Sequence, residues 1–333
     1  MPEPTAPCAP RQSGRAVWRA GDVADPNEWT WQLDDQEIEA LVDAGRRSAG
    51  GARREIEATA LDDGIAQLTT ELLRGRGFRL VRGFPVDDVA PDTAAAAFVW
   101  LGRQLGSARS QNAGGDLLGH VRNVGADAAD PAVRIYQTNR RQTFHTDSAD
   151  VVGLMCLETA ATGGASMLVS AGAIYNEMLD CDPDLAAALF EPVATDRRNE
   201  VPPGADPWFE IPVLNWHAGH LTVLYQRQYI ESAQRFDEAP PLTDRMVAAL
   251  DLFDTIANDP TMHLTMDFRR GDMQFVYNHA LLHDREAFTD KPGAPRHLLR
   301  LWLSMPGDRE LPEVFAQRYG SITIGDRGGI TIG

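Results

Sequence analysis

The triplet His145-Thr146-Asp147 is the first place where residue types and spacing could do chemistry. In an extended segment side chains alternate with period two, so His145 and Asp147 are expected on the same side. An imidazole beside a carboxylate supplies two of the three ligands of a facial triad. That arrangement leaves positions on an octahedral iron(II) open for a bidentate co-substrate and O2. The triplet alone is weak, because His-x-Asp is common by chance. Two later segments add to it. Tyr277-Asn278-His279-Ala280-Leu281-Leu282-His283-Asp284-Arg285 places two more histidines after a predicted strand. Arg296-His297-Leu298-Leu299-Arg300-Leu301-Trp302 reads as a strand with arginines on one face. An arginine facing an apolar interior needs an anionic partner, since an unpaired buried charge is costly. The dicarboxylate 2-oxoglutarate would supply one, because a guanidinium fork matches a carboxylate.

Together these segments resemble the taurine dioxygenase-like branch of iron(II)/2-oxoglutarate-dependent oxygenases, which includes the 2,4-dichlorophenoxyacetate dioxygenases. The run from Asn278 to Phe288 is similar to that branch's N-x-x-x-L-H-G-R-x-A-F, with Asp284 where Gly is usual. Gly163-Gly164-Ala165-Ser166 resembles its Gly-Gly-x-Thr turn, with Ser in place of Thr. The resemblance spans residues 65 to 306. It implies that His145, Asp147 and His283 ligate iron(II), and it selects His283 over His279. It also implies that Ser166 and Arg296 hold the distal carboxylate of 2-oxoglutarate, and that Arg300 lies near a substrate or co-substrate carboxylate. On a strand Arg296 and Arg300 sit about 13 Å apart, too far to share one carboxylate. Arg300 is therefore expected on an acidic group of the prime substrate, with a structural ion pair as the plain alternative.

The implied reaction consumes O2 and 2-oxoglutarate, releases succinate and CO2, and hydroxylates an unactivated C–H bond of a small, carboxylate-bearing molecule. Halogenating relatives carry a small residue at the carboxylate position, so Asp147 argues against halogenation. Desaturation, cyclisation and epimerisation stay open. Outside this class stand a zinc hydrolase, since two histidines and a carboxylate also bind zinc, and a metal-free β-barrel that binds small molecules. Ligating histidines must be neutral, so iron affinity is expected to decline from pH 8 to pH 5 around a free pKa of about 6.5.

The remaining composition bounds the setting. A chain of 333 residues, 43% hydrophobic and 24% charged, is ordinary for a globular enzyme. Its net charge of −17 argues against nucleic acid or anionic membrane as partners. A small-molecule substrate is the expected partner, with a homo-oligomer possible. Cys8, Cys156 and Cys181 form no CxxC pair, so neither a zinc ribbon nor a disulfide framework is implied, and a cytoplasmic location is expected. Cys156 reads as a small core hydrophobe. No apolar run reaches the roughly 18 residues of a membrane span, and the first residues lack a signal-peptide pattern.

The elements that must position these residues read as a mostly β fold with flanking helices, a double-stranded β-helix (jelly roll) core. Residues 1–14 are expected to be a disordered leader and 15–64 a helical extension docked by Trp18, Trp29 and Trp31. Residues 65–306 form the catalytic domain and 307–333 a tail. Helices are predicted after an Asp34 or Asp35 cap, through Ile65 to Leu73, over 92–105, over 171–179 continuing through 182–190, and over 243–256. Predicted strands cover 78–84, 133–136, 151–157, 166–169, 221–225, 273–277 and 298–303. Residues 195–210 read as a long polar loop and candidate lid, with Arg197 and Arg198 as solvated charge. His217 and His220 flank a hairpin turn at Ala218-Gly219, while His120, His263 and His297 carry no signal.

Overall fold

Two strands of nearly continuous apolar sequence, Val151–Glu158 and His297–Ser304, pair antiparallel and form the spine of the larger sheet. Strands buried on both faces lose the polar alternation of a surface strand, and seven of the eight residues of His297–Ser304 are buried. The computed structural model describes residues 9–51, 56–126 and 134–330. Around the spine, the seven-stranded sheet runs in the order Thr30–Gln32, Phe78–Arg82, Met273–Tyr277, Val151–Glu158, His297–Ser304. Ser107–Arg109 and Leu118–Val121 share the outer edge of the last strand. Among the described residues only the Thr30–Gln32 pairing is parallel.

A smaller antiparallel sheet holds His263–Met266, Ser166–Ser170, Leu281–Arg285 and Gln142–His145. Its two faces separate by period-two alternation. Phe144, Met167, Val169 and Leu282 join one apolar cluster with Ile174 and Phe253 of the helices Ala171–Cys181 and Asp244–Ala257. That leaves His145, Ser166 and His283 on the opposite face, toward the larger sheet. On the far side of the larger sheet, Leu299, Leu301 and Leu303 share a core cluster with Phe98 and Leu101 of the helix Pro91–Leu105. The helix Asp35–Ala49 crosses this one closely at Gly45, where a Cβ would stand 2.6 Å from the Thr93 carbonyl oxygen.

Most helix limits follow the signals in the sequence. Asp34 caps Asp35–Ala49 in a capping box with Glu37, Gly75 follows Asp62–Arg74, and Gly106 ends Pro91–Leu105. Trp18 and Trp29 pack on Phe78, tying the N-terminal segment to the larger sheet. His217 and His220 face each other across a hairpin whose turn residues Ala218 and Gly219 both have positive φ.

Several expectations are corrected. Residues 9–14 of the expected leader are docked, with Arg11 on Asp180 and Gln12 on Asn176; residues 1–8 lie outside the described residues. The helix from Ala171 does not continue. Asp182 is extended (φ −157°, ψ 93°) ahead of Pro183, ends one helix and caps the short Pro183–Ala188. The expected strand 133–136 is instead the 3-10 turn Ile135–Gln137, with Val133 outside the described residues. Residues 195–210 are not a loop throughout, because Ala194–Asp196 pairs with Trp208–Glu210 in a hairpin. Arg197 is buried in it, its guanidinium spread over the carbonyls of Asp206, Trp208 and Gln317. Among the described residues no helix is long and apolar enough to cross a membrane.

The tail is built into the core. Arg327 is fully buried and bridges Asp150 and Asp308, each at 2.8 Å. His279 Nε2 also meets Asp150, at 2.9 Å, and the Ser304 hydroxyl and Met305 N–H complete that carboxylate's partners. Asp150, His279 and Asp308 could in composition hold a metal ion. The guanidinium already bridges the two carboxylates, so the cluster is an ion-pair network. Arg327→Met removes the guanidinium that bridges two buried carboxylates and is expected to lower stability by about 3–5 kcal/mol, read from urea unfolding.

Candidate metal centre

Strand register assembles most of the site. His283 lies directly opposite His145 in the smaller sheet, so their rings share a face, with centroids 4.2 Å apart. The strand carrying His145 stops there. The Thr146 N–H turns away to the Tyr225 carbonyl at 2.8 Å, and the Thr146 hydroxyl accepts the Tyr225 N–H. Asp147 therefore sits just beyond the strand rather than within it, yet on the same side as His145. One ligand atom from each of His145, Asp147 and His283 lies within 4.8 Å of the others. The His145 Nδ1–H donates to the Thr143 carbonyl (2.8 Å), so the Nε2 lone pair accepts from the Gln142 amide at 2.7 Å and is the atom able to meet a cation.

Asp147 is held from three directions. Asn278 accepts the Asp147 N–H at 3.0 Å and donates its amide to the carbonyls of Asp147 and Ala149. From the larger sheet, the Trp302 indole N–H reaches Asp147 Oδ2 at 2.8 Å and the Arg300 guanidinium reaches it at 3.2 Å. Arg300 is locked in turn by Gln111, which accepts from its Nε (2.7 Å), and by the rings of Tyr136 and Trp302. The Arg300 guanidinium is thus engaged by Asp147 and Gln111.

Electrostatics prepare all three side chains for a cation. Burial pushes the Asp147 carboxyl up, but Arg300, His283, His145 and the Trp302 N–H outweigh it and hold the group at about 2. Burial lowers His145, and burial with the neighbouring His145 lowers His283 to about 3. Two neutral imidazoles and one ionised carboxylate thus converge, a donor set that fits a divalent transition metal.

Beside this centre, one cavity is lined by His145, His283, Ser166, Arg285, Arg296 and Arg300. Arg296 gives one N–H to the Gly164 carbonyl, whereas its buried Nη1 has no hydrogen-bond partner among the described residues. Arg285 lies close by, with both guanidiniums over the Phe288 ring. Burial lowers both arginines to about 10, and the positive charge of Arg296 adds to the effect on Arg285. The acid in this wall, Asp284, is already paired with Arg141 at 2.6 Å. An anion is the missing partner, so the cavity fits 2-oxoglutarate. Ser166 stands at the same wall with its hydroxyl 3.4 Å from Gln274.

Sequence reasoning missed Trp302, Gln111 and Arg285 as site residues. Trp302 was within reach, since it lies two residues beyond Arg300 on the same face. Gln111 precedes Arg300 by 189 residues and carries no local signal.

Trp302→Phe keeps the ring but removes the N–H from Asp147, and is expected to weaken iron(II) affinity about 10- to 100-fold in an anaerobic titration. The lowered histidines also revise the expected pH dependence. Proton competition moves below the free value, so iron affinity should hold to a lower pH than free histidines would allow and fall only beneath it. In the metal-free protein, His283 binds a proton when unfolded but not when folded between pH 6.5 and about 3. The His283 contribution to stability, read by thermal unfolding, should therefore fall as pH drops through 6.5 and level off near 3, below which Asp147 continues the loss.

Comparison with known proteins agrees with this geometry. The profile of the taurine catabolism dioxygenase TauD, TfdA family matches residues 45–302. The FR-33289 synthase of Streptomyces rubellomurinus (strain ATCC 31215) is 31% identical over 323 residues, covering 92% of this chain and 95% of that protein. A uridine-5'-phosphate dioxygenase from Streptomyces sp is 32% identical over 175 residues, covering 50% of this chain and 62% of that protein. Among solved structures, asparagine oxygenase in complex with Fe(II), 2S,3S-3-hydroxyasparagine and succinate shares the fold. Its TM-score is 0.64 at 18% identity, over 83% of this chain and 93% of that one. The chain belongs to the taurine catabolism dioxygenase TauD, TfdA family and is an iron(II)- and 2-oxoglutarate-dependent oxygenase.

Proposed function

We propose that this oxygenase hydroxylates a C–H bond of a small anionic molecule, with His145, Asp147 and His283 as the iron ligands. Ser166 and Arg296 would hold the distal carboxylate of 2-oxoglutarate. The observation that carries this reading is the unpaired, buried Nη1 of Arg296 in a cavity that also touches His145 and His283. When bound, iron(II) with 2-oxoglutarate and O2 supplies the oxidation, with release of succinate and CO2. The two facing sheets, with the site between them, support a double-stranded β-helix as the fold. Hydroxylation is favoured over halogenation because Asp147 keeps its carboxylate at the centre. The 3-hydroxyasparagine and succinate named in the structural relative support hydroxylation, and the nucleotide named in the uridine-5'-phosphate dioxygenase supports an anionic substrate. Cys156 and Cys181 are free, which supports a reducing, cytoplasmic location.

The protein's own groups have separable tasks. Asn278 fixes the backbone at Asp147, while Trp302 and Arg300 fix its carboxylate, so the ligand is oriented before any cation arrives. Arg285 donates to the carbonyls of Thr138 and Arg140 and braces the approach to the strand Gln142–His145. Arg300 is assigned to Asp147, because Asp147 and Gln111 already engage its guanidinium.

His145→Ala, Asp147→Ala and His283→Ala should each abolish iron(II) binding at micromolar metal with the far-UV spectrum unchanged. Normal titration in any one variant would remove that residue from the triad. Arg296→Leu removes a charge-assisted partner and should raise the KM for 2-oxoglutarate about 30-fold or more. Arg300→Leu should instead lower iron affinity; an unchanged iron affinity with a raised KM for the prime substrate would return Arg300 to the substrate.

A further inference from the structure

A second cavity opens at Asp147, walled by the hairpin that pairs Ala194–Asp196 with Trp208–Glu210 and by the C-terminal helix Ala316–Tyr319. It shares no lining residue with the cavity of Ser166 and Arg296. Its charged lining is Arg134, Arg318 and Asp147, with the half-buried Tyr229 alongside. The side chains of Arg134 and Arg318 are only 12% and 8% exposed. Both turn to one carboxylate, Glu200, which pairs with Arg134 and stands 3.9 Å from Arg318. Among the described residues the remaining polar contact of Arg318 is the neutral Ser148 hydroxyl at 2.8 Å. Asp147 cannot balance the second guanidinium, because Arg300 already balances Asp147. Among the described residues the wall is therefore left with one positive charge in excess where little water can screen it. Burial and the adjacent Arg134 pull Arg318 down to about 10, which marks the same deficit of negative charge. Arg318 and Glu200 also border an outer cavity of about 420 Å³ under the hairpin loop, roomy enough to admit a small molecule.

We propose that Arg134 and Arg318 bind the anionic oxygen group of the prime substrate, a carboxylate or a phosphate-type oxyanion, on the Asp147 side of the metal centre. The inference rests on the oxygenase reading above, and it moves substrate recognition from Arg300 to this pair. Glu200 holds the two guanidiniums in place and sets the excess at a single charge.

The test is calorimetric titration of the iron(II)- and 2-oxoglutarate-loaded enzyme, kept anaerobic, with inorganic phosphate and separately with acetate. The bound 2-oxoglutarate occupies Arg296, so the anions report on the second cavity. At least one of them should saturate the enzyme, and the tighter of the two names the oxyanion. Arg134→Gln and Arg318→Gln should each weaken it about tenfold or more. Glu200→Gln should tighten binding, phosphate more than acetate, and a gain of affinity cannot come from a misfolded variant. Failure of both anions to saturate, or equal affinity in all four proteins, overturns the proposal. Iron and 2-oxoglutarate titrations of the same proteins report on the oxygenase reading separately. If those fail, phosphate titration of the metal-free Arg296→Leu protein still tests Arg134 and Arg318.

Discussion

The Asp147 carboxylate is buried and stays ionised only because Arg300 and Trp302 reach it from one sheet while His145 and His283 face it from the other. A buried anion is costly unless its partners are in place beforehand. This one demands that both sheets be in register at once. If Arg300 shifts, the carboxylate loses its cation; if Asn278 shifts, the backbone that aims it is released. Positions far apart in sequence, from Gln111 to Trp302, thereby serve one oxygen atom. The metal centre is a consequence of sheet packing, and the packing is constrained by the electrostatics of a single side chain.

Around that centre positive charge is divided into two stores. One lies with Ser166, where Arg296 and Arg285 crowd over Phe288 with Asp284 already committed to Arg141. The other lies with Arg134 and Arg318, which share Glu200. Each store faces a different cavity, and Asp147 with Arg300 forms a neutral partition between them. On the proposed reading, two anionic molecules are told apart by position, although both meet guanidinium. The net charge of −17 makes the contrast sharper, since the surface as a whole is acidic while the interior of the site is basic.

Much of this was legible in the chain because the determinants are local. Period-two alternation separates Phe144 from His145 and Leu282 from His283, and caps at Asp34 and Thr243 mark helix starts. The resemblance carried by the motif around His283 placed the distal histidine that spacing alone left open between His279 and His283. What escaped depends on partners distant in sequence. Nothing near Arg300 indicates that Asp147 would claim it, and nothing near Arg197 says that three carbonyls would bury it. The break at Asp182 was readable from Pro183 but was outweighed by apolar periodicity on both sides. His279, set aside in favour of His283, turns out to be a core residue bound to Asp150.

Arg327 lies 177 residues beyond Asp150, the carboxylate it neutralises three positions after Asp147. A ribosome delivers the chain from the N-terminus, so the His145–Asp150 stretch emerges long before the guanidinium that lets Asp150 be buried. Until residue 327 is in place, Asp150 lacks the guanidinium partner on which its burial relies. A residue that touches none of the three candidate metal ligands thereby conditions the segment that carries two of them.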